Sequence, residues 1–188
     1  MDKLKLMVDM DDVLYENAFQ RIIEEYLGRK ITKEEVDRNG YYLQNLVENK
    51  DDFFNYFFQK NMYDYANIVK NSQEVLKELV GMYDVYILTA YTFVERRNSC
   101  GDILKHKYDR LINDYPFLDP HNFCFVNDKS VVKSDIMIDD RLRNLTGANL
   151  KLLFSSFHNQ NYPDYYLEAK GVKKVNDWEE IGKILIKK

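Results

Sequence analysis

The stretch Leu4-Lys5-Leu6-Met7-Val8-Asp9-Met10-Asp11 decides the fold: an apolar run of strand length that breaks off into carboxylates. So short and nearly continuous a run suits a parallel strand buried on both faces. Similar runs follow at Tyr83-Asp84-Val85-Tyr86-Ile87-Leu88-Thr89, at residues 122–126, at Asp135-Ile136-Met137-Ile138-Asp139 and at residues 150–154. Helical periodicity lies between them. Ser72 to Met82 puts Val75, Leu76, Leu79 and Val80 on one face, with Ser72 as the expected N-cap and Gly81 near the end. Phe93 to Asn113 carries Ile103, Leu104, Tyr108 and Leu111 at helical spacing, and Asn176-Asp177-Trp178 opens a last amphipathic helix. Such alternation predicts an α/β fold, a Rossmann-like parallel sheet covered by helices.

One segment breaks the alternation. Residues 15–70 hold helical patterns, many aromatics and no convincing strand, far more chain than a crossover needs. The expected organisation is therefore a core of residues 1–14 and 71–188, with a small helical cap of residues 15–70 inserted after the first strand. Within the cap, Phe53, Phe54, Phe57 and Phe58 fall at helical spacing, which core packing alone explains.

Composition narrows the partners. A net charge of -4 repels a polynucleotide backbone on average but tolerates a local basic pocket for one small phosphate. Two cysteines, Cys100 and Cys124, lack metal-ligand spacing, so a reduced, cytoplasmic protein is expected. No run reaches the roughly 20 apolar residues of a membrane span. A homodimer stays open.

Ligands of open parallel sheets bind beyond the carboxyl ends of the strands. Those ends are Asp9-Met10-Asp11-Asp12, Thr89 and Asp139-Asp140, with Lys129 in the loop after the third strand. Carboxylates from two strands can hold Mg²⁺, a hard cation that favours oxygen ligands. One carboxylate can attack phosphorus, and a second can move the proton of the leaving alcohol and then of water. Thr89 and Lys129 would stabilise the phosphoryl oxygens. Each group alone has a plainer reading: Asp11 or Asp12 as a helix cap, Thr89 as structure, Lys129 as solvated surface, Asp139-Asp140 as a turn. Their joint occurrence at successive strand ends favours phosphate chemistry.

Asp9-Met10-Asp11-Asp12-Val13-Leu14, Val85-Tyr86-Ile87-Leu88-Thr89-Ala90, Lys129 and the closing acid pair together resemble the four motifs of the haloacid dehalogenase superfamily. The continuous segment from Asn127 to Arg141 is similar to that of its 5'(3')-deoxyribonucleotidase branch, as are Asp114-Tyr115-Pro116-Phe117-Leu118-Asp119 and the stretch from Asn176 to Ile181. The resemblance implies a Mg²⁺-dependent phosphatase acting on nucleoside monophosphates. It makes Asp9 the nucleophile and a metal ligand, and Asp11 the acid/base, lending its carbonyl to the metal. Thr89, Ala90 and Lys129 become phosphate ligands, and Asp140 a metal ligand supported by Asp139. Met62 and Tyr63 align with a base-contacting pair, and Asn17 with a further contact. Asp12 stands where the branch commonly has Gly, and Met62 and Asn17 where it has rings, which leaves the base preference open. A sugar-phosphate phosphatase of the same fold is the alternative. A receiver-like signalling domain is disfavoured by the motif order and the long cap.

Overall fold

The computed structural model describes residues 3–186; residues 1, 2, 187 and 188, at the outer bounds expected for the core, lie outside the described residues. In chain order the strands are β1 (Lys5–Val8), β2 (Tyr15–Glu16), β3 (Asn67–Ile68), β4 (Asp84–Thr89), β5 (Phe123–Phe125), β6 (Ser134–Asp139), β7 (Ala148–Phe154) and β8 (Val172–Val175). The α-helices are α1 (Ala18–Leu27), α2 (Lys33–Asn39), α3 (Lys50–Phe57), α4 (Ser72–Met82), α5 (Cys100–Asp114), α6 (Asp164–Ala169) and α7 (Trp178–Leu185).

Six strands pair in the order β5-β4-β1-β6-β7-β8, every pair parallel. Successive side chains of β1 serve opposite faces. Leu6 and Val8 join the larger core cluster, and Met7 packs with Leu88, Met137 and Leu153 in the other. Burial on both faces is why the strand reads as an unbroken apolar run. From β1 the chain moves out through β4 and β5, then returns to β6 on the other side of β1. That reversal opens the sheet's crevice at the carboxyl ends of β1 and β6.

Four local expectations are corrected. The sheet gains a sixth strand, Val172-Lys173-Lys174-Val175, whose central lysines break the apolar run because β8 is an edge. Residues 15–70 are not free of strand, since β2 and β3 form a two-residue antiparallel ribbon at the base of that segment. Ser72 does not cap α4. Asn71, at φ 63, precedes the helix, while the Ser72 hydroxyl shares a 2.7 Å hydrogen bond with the Tyr115 hydroxyl in the core. The helix expected from Phe93 is a 3₁₀ stretch, Val94–Ser99, kinked at Arg96 and followed by α5.

Above the crevice, Asn49 caps the start of α3 and Thr32 the start of α2, the latter with a capping box to Glu35. Phe53, Phe54 and Phe57 are buried, with Phe19 edge-on to Phe53 at 5.8 Å and to Phe57 at 5.4 Å. Arg96 ties this helix to the core, donating to the Asp51 carbonyl (3.0 Å) and to Asn55 Oδ1 (2.8 Å). Among the described residues no helix is long and apolar enough to cross a membrane.

Candidate active site

β1 delivers Asp9 into the crevice, its amide donating to the Ile138 carbonyl of β6 at 2.9 Å. One carboxylate oxygen accepts the Met10 amide (2.6 Å), and the other meets Lys129 Nζ at 2.6 Å. Lys129 also reaches Asp139 at 2.7 Å and is 3% exposed, so two buried carboxylates share one buried ammonium. The second oxygen of Asp139 accepts the Arg141 amide (2.8 Å) and Asn144 Nδ2 (2.9 Å). Lys129 sits in a short 3₁₀ turn closed by the Val132 amide on its carbonyl (3.1 Å). Gly147 permits that turn to pack, because a Cβ there would stand 1.9 Å from the Val132 carbonyl oxygen.

Asp11 is clamped between elements. The Tyr63 hydroxyl donates to its Oδ1 (2.6 Å), and Lys107 of α5 ion-pairs with its Oδ2. Lys107 also donates to Thr89 Oγ1 at 2.8 Å, which links the ends of β1 and β4. On the other flank, Asp140 Oδ2 accepts from His158 Nε2 (2.5 Å), and its carbonyl accepts Asn159 Nδ2 (2.8 Å).

Crowded acids in a dry site resist ionisation. Burial pushes the Asp9 carboxyl up to about 7 against the pull of Lys129, with Asp139 and Asp11 adding to the rise. Burial also raises Asp139 and Asp140, and it lifts Asp12 well above the usual carboxylate range with the help of Asp140 and Asp11. Burial alone would lower Lys129, but Asp9 and Asp139 outweigh it and hold the ammonium charged.

The crevice is a cavity of about 380 Å³. Asp9, Asp11, Lys129, Ala90 and Asp140 face it from the core, and Asn17, Met62, Tyr41 and Phe54 from the insertion. Arg141 stacks over the Tyr41 ring at 3.8 Å. Three expected residues sit elsewhere. Thr89 and Asp139 are buried beneath the lining, and Tyr63 turns its ring onto Tyr15 (5.6 Å) and spends its hydroxyl on Asp11. A base-contacting role for Tyr63 is therefore not what its placement favours.

The donor chemistry suits a divalent cation. Carboxylate oxygens of Asp9, Asp139 and Asp140 lie within 4.8 Å of one another, and a hard ion would relieve the repulsion that raises all three groups. The Lys129, Arg141 and Asn144 contacts occupy Asp139, which leaves Asp9 and Asp140 the freer ligands. Lys107 and His158 belong to the site although the motifs do not name them. A sequence signal exists for Lys107, a lysine midway in the apolar stripe Ile103-Lys107-Leu111 and only 2% exposed. His158, in an irregular loop, has none.

The amino-acid sequence, compared as a whole, matches a known family. The family model described as "5' nucleotidase, deoxy (Pyrimidine), cytosolic type C protein" matches residues 3–188. The chain belongs to that family. With it come the phosphatase class and the haloacid dehalogenase-like fold. The 5'(3')-deoxyribonucleotidase of Bacillus subtilis is 36% identical over 64% of this chain and 63% of its own. A Staphylococcus aureus relative, provisionally named for the same activity, is 29% identical over 96% of this chain and 94% of its own. A haloacid dehalogenase-like hydrolase structure from Streptococcus pneumoniae covers 97% of this chain and 98% of its own at TM-score 0.55, with 13% identity, a likeness of fold alone.

Proposed function

We propose that the chain is a Mg²⁺-dependent nucleotidase that dephosphorylates (deoxy)nucleoside monophosphates through an aspartyl-phosphate on Asp9. The observation that carries this reading is the convergence of Asp9, Asp11, Lys129 and Asp140 on one cavity whose opposite wall is aromatic and amide-bearing. Its size suits a ligand of nucleotide dimensions. Residues 15–70 act as the cap over it. Asp9, Asp140 and the Asp11 carbonyl would hold Mg²⁺, which would supply charge neutralisation for the phosphoryl oxygens.

The chain's own groups move the bonds and protons. An Asp9 oxygen attacks phosphorus while the bond to the leaving oxygen breaks, and Asp11 gives that oxygen its proton. Water then attacks the same phosphorus, passes its proton to Asp11, and frees phosphate and Asp9. Lys129 faces the charge that grows on the phosphoryl oxygens. Lys107 and Tyr63 fix the Asp11 carboxyl between two donors, so its direction is set before substrate arrives.

Kinetics on 5' and 3' deoxyribonucleotides, ribonucleotides and sugar phosphates with Mg²⁺ tests the reading. Highest kcat/KM on a deoxyribonucleoside monophosphate is expected. A preference for sugar phosphates would leave the phosphatase chemistry and overturn the nucleotide assignment.

A further inference from the structure

Five carboxylates meet at this sheet edge: Asp9, Asp11, Asp12, Asp139 and Asp140. Lys129 pairs with Asp9 and Asp139, Lys107 with Asp11, and His158 with Asp140. Asp12 has no counter-charge and no side-chain hydrogen bond among the described residues, although it lines the cavity. Its φ of 56 is a conformation that side chains rarely adopt, so the carboxylate is held at a position where glycine would sit without strain. A carboxylate so placed costs free energy unless something cationic meets it.

What faces it is an imidazole. Ligand atoms of Asp12, Asp140 and His158 lie within 4.8 Å of one another, a second group that shares only Asp140 with that of Asp9, Asp139 and Asp140. The His158 side chain is 7% exposed, and Nε2 makes its one hydrogen bond among the described residues, to Asp140. Tyr41 and Phe157 hold the ring edge-on at 5.3 and 5.1 Å. The histidine is thus buried, oriented and, among the described residues, without a polar partner outside the cluster.

We propose that Asp12, Asp140 and His158 form a second cation position, sharing Asp140 with the Mg²⁺ position and selecting a first-row transition-metal dication. One nitrogen and two carboxylates match the preferences of such ions better than those of Mg²⁺, which favours oxygen and retained water. On binding, the Nε2–Asp140 hydrogen bond gives way to ligation, so the proton on Nε2 leaves for Nδ1 or for solvent. The ion would offset the Asp12 charge that otherwise opposes a phosphate dianion. Only the shared use of Asp140 rests on the functional reading above; the donor set itself does not.

Metal-free protein titrated with Mn²⁺ alone and followed by electron paramagnetic resonance tests this directly. Two Mn²⁺ per chain are expected, one of them coupled to an imidazole nitrogen in pulsed spectra. His158→Gln should abolish the nitrogen coupling and weaken the binding of that ion, because the imidazole nitrogen donor is lost. Asp12→Gly, which suits the backbone at φ 56 and should fold, is expected to lose the second ion while keeping the first. A single Mn²⁺ in the wild type, absence of nitrogen coupling, or unchanged binding in both variants would overturn the proposal. Failure of the nucleotidase reading would appear instead as no phosphate release from any nucleotide, with the Mn²⁺ count intact.

Discussion

At the ends of β1 and β6, acids, ammoniums and an imidazole are packed side by side and held by hydrogen bonds of 2.5–2.9 Å. Across the cavity, α1 and α3 present a cluster of Phe19, Phe53, Phe54 and Phe57 held by apolar burial and edge-on ring contacts. The polar side is specified by register: Val8 opposite Ile138 sets Asp9 beside Asp139. The aromatic side is specified by volume and tolerates imprecise placement far better. Substitutions on the first should therefore remove chemistry, and those on the second should remove stability first.

The largest expected effect is on the polar side. Asp9→Asn keeps shape but removes the proposed nucleophile, so kcat should fall by at least about 10⁴-fold. Thermal melting should hold or rise, because the variant removes a carboxyl that burial already penalises. Turnover within tenfold of wild type would break the contrast. Lys129→Ala should cost about 10²- to 10³-fold in kcat. It should also cost about 3–5 kcal/mol of stability in denaturant titrations, since Asp9 and Asp139 would lose their shared buried cation.

On the aromatic side, Phe53→Ala should destabilise by about 3–5 kcal/mol. The kcat of the folded fraction should stay within a few-fold of wild type; a loss like that of Lys129→Ala would show the two sides to be one unit. The smallest effect concerns pH. Asp9 is raised from 3.8 to about 7 in the fold, so the folded chain binds protons that the unfolded chain has released. That stabilisation is complete below 3.8 and is lost as pH rises through about 7; Asp139 and Asp140 shift in the same direction. Cation-free protein should melt a few degrees lower at pH 8 than at pH 5. Added Mg²⁺ should raise Tm more at pH 8, and equal gains at both values would mean that the ion does not meet these carboxylates.

The same contrast explains what could be read from the chain. β1, β4, β6 and β7 were legible because burial on two faces writes an apolar run, and Asp9, Lys129 and Asp140 were legible because they stand where those strands and their loops end. β8 was not, since its outward lysines obey an edge strand's rules. The β2–β3 ribbon is too short to show periodicity. Tyr63 was placed by resemblance to the branch's base-contacting pair, but its hydroxyl answers to Asp11, a partner 52 residues away that local pattern cannot reveal. His158 and Asp12 meet only because loops after β7 and β1 converge, and no spacing encodes that encounter.

Trp178, fully buried at the start of α7, donates its indole N–H to the Val13 carbonyl at 2.8 Å, 165 residues away. The loop carrying Asp9 to Asp12 is therefore braced through Val13 by a residue that follows the last strand of the sheet. At about 5–20 residues per second, the first strand waits many seconds on the ribosome before that brace exists. Nascent chains arrested short of residue 178 should hold the Asp9–Asp12 loop loosely, and its order should come abruptly once that residue has been made.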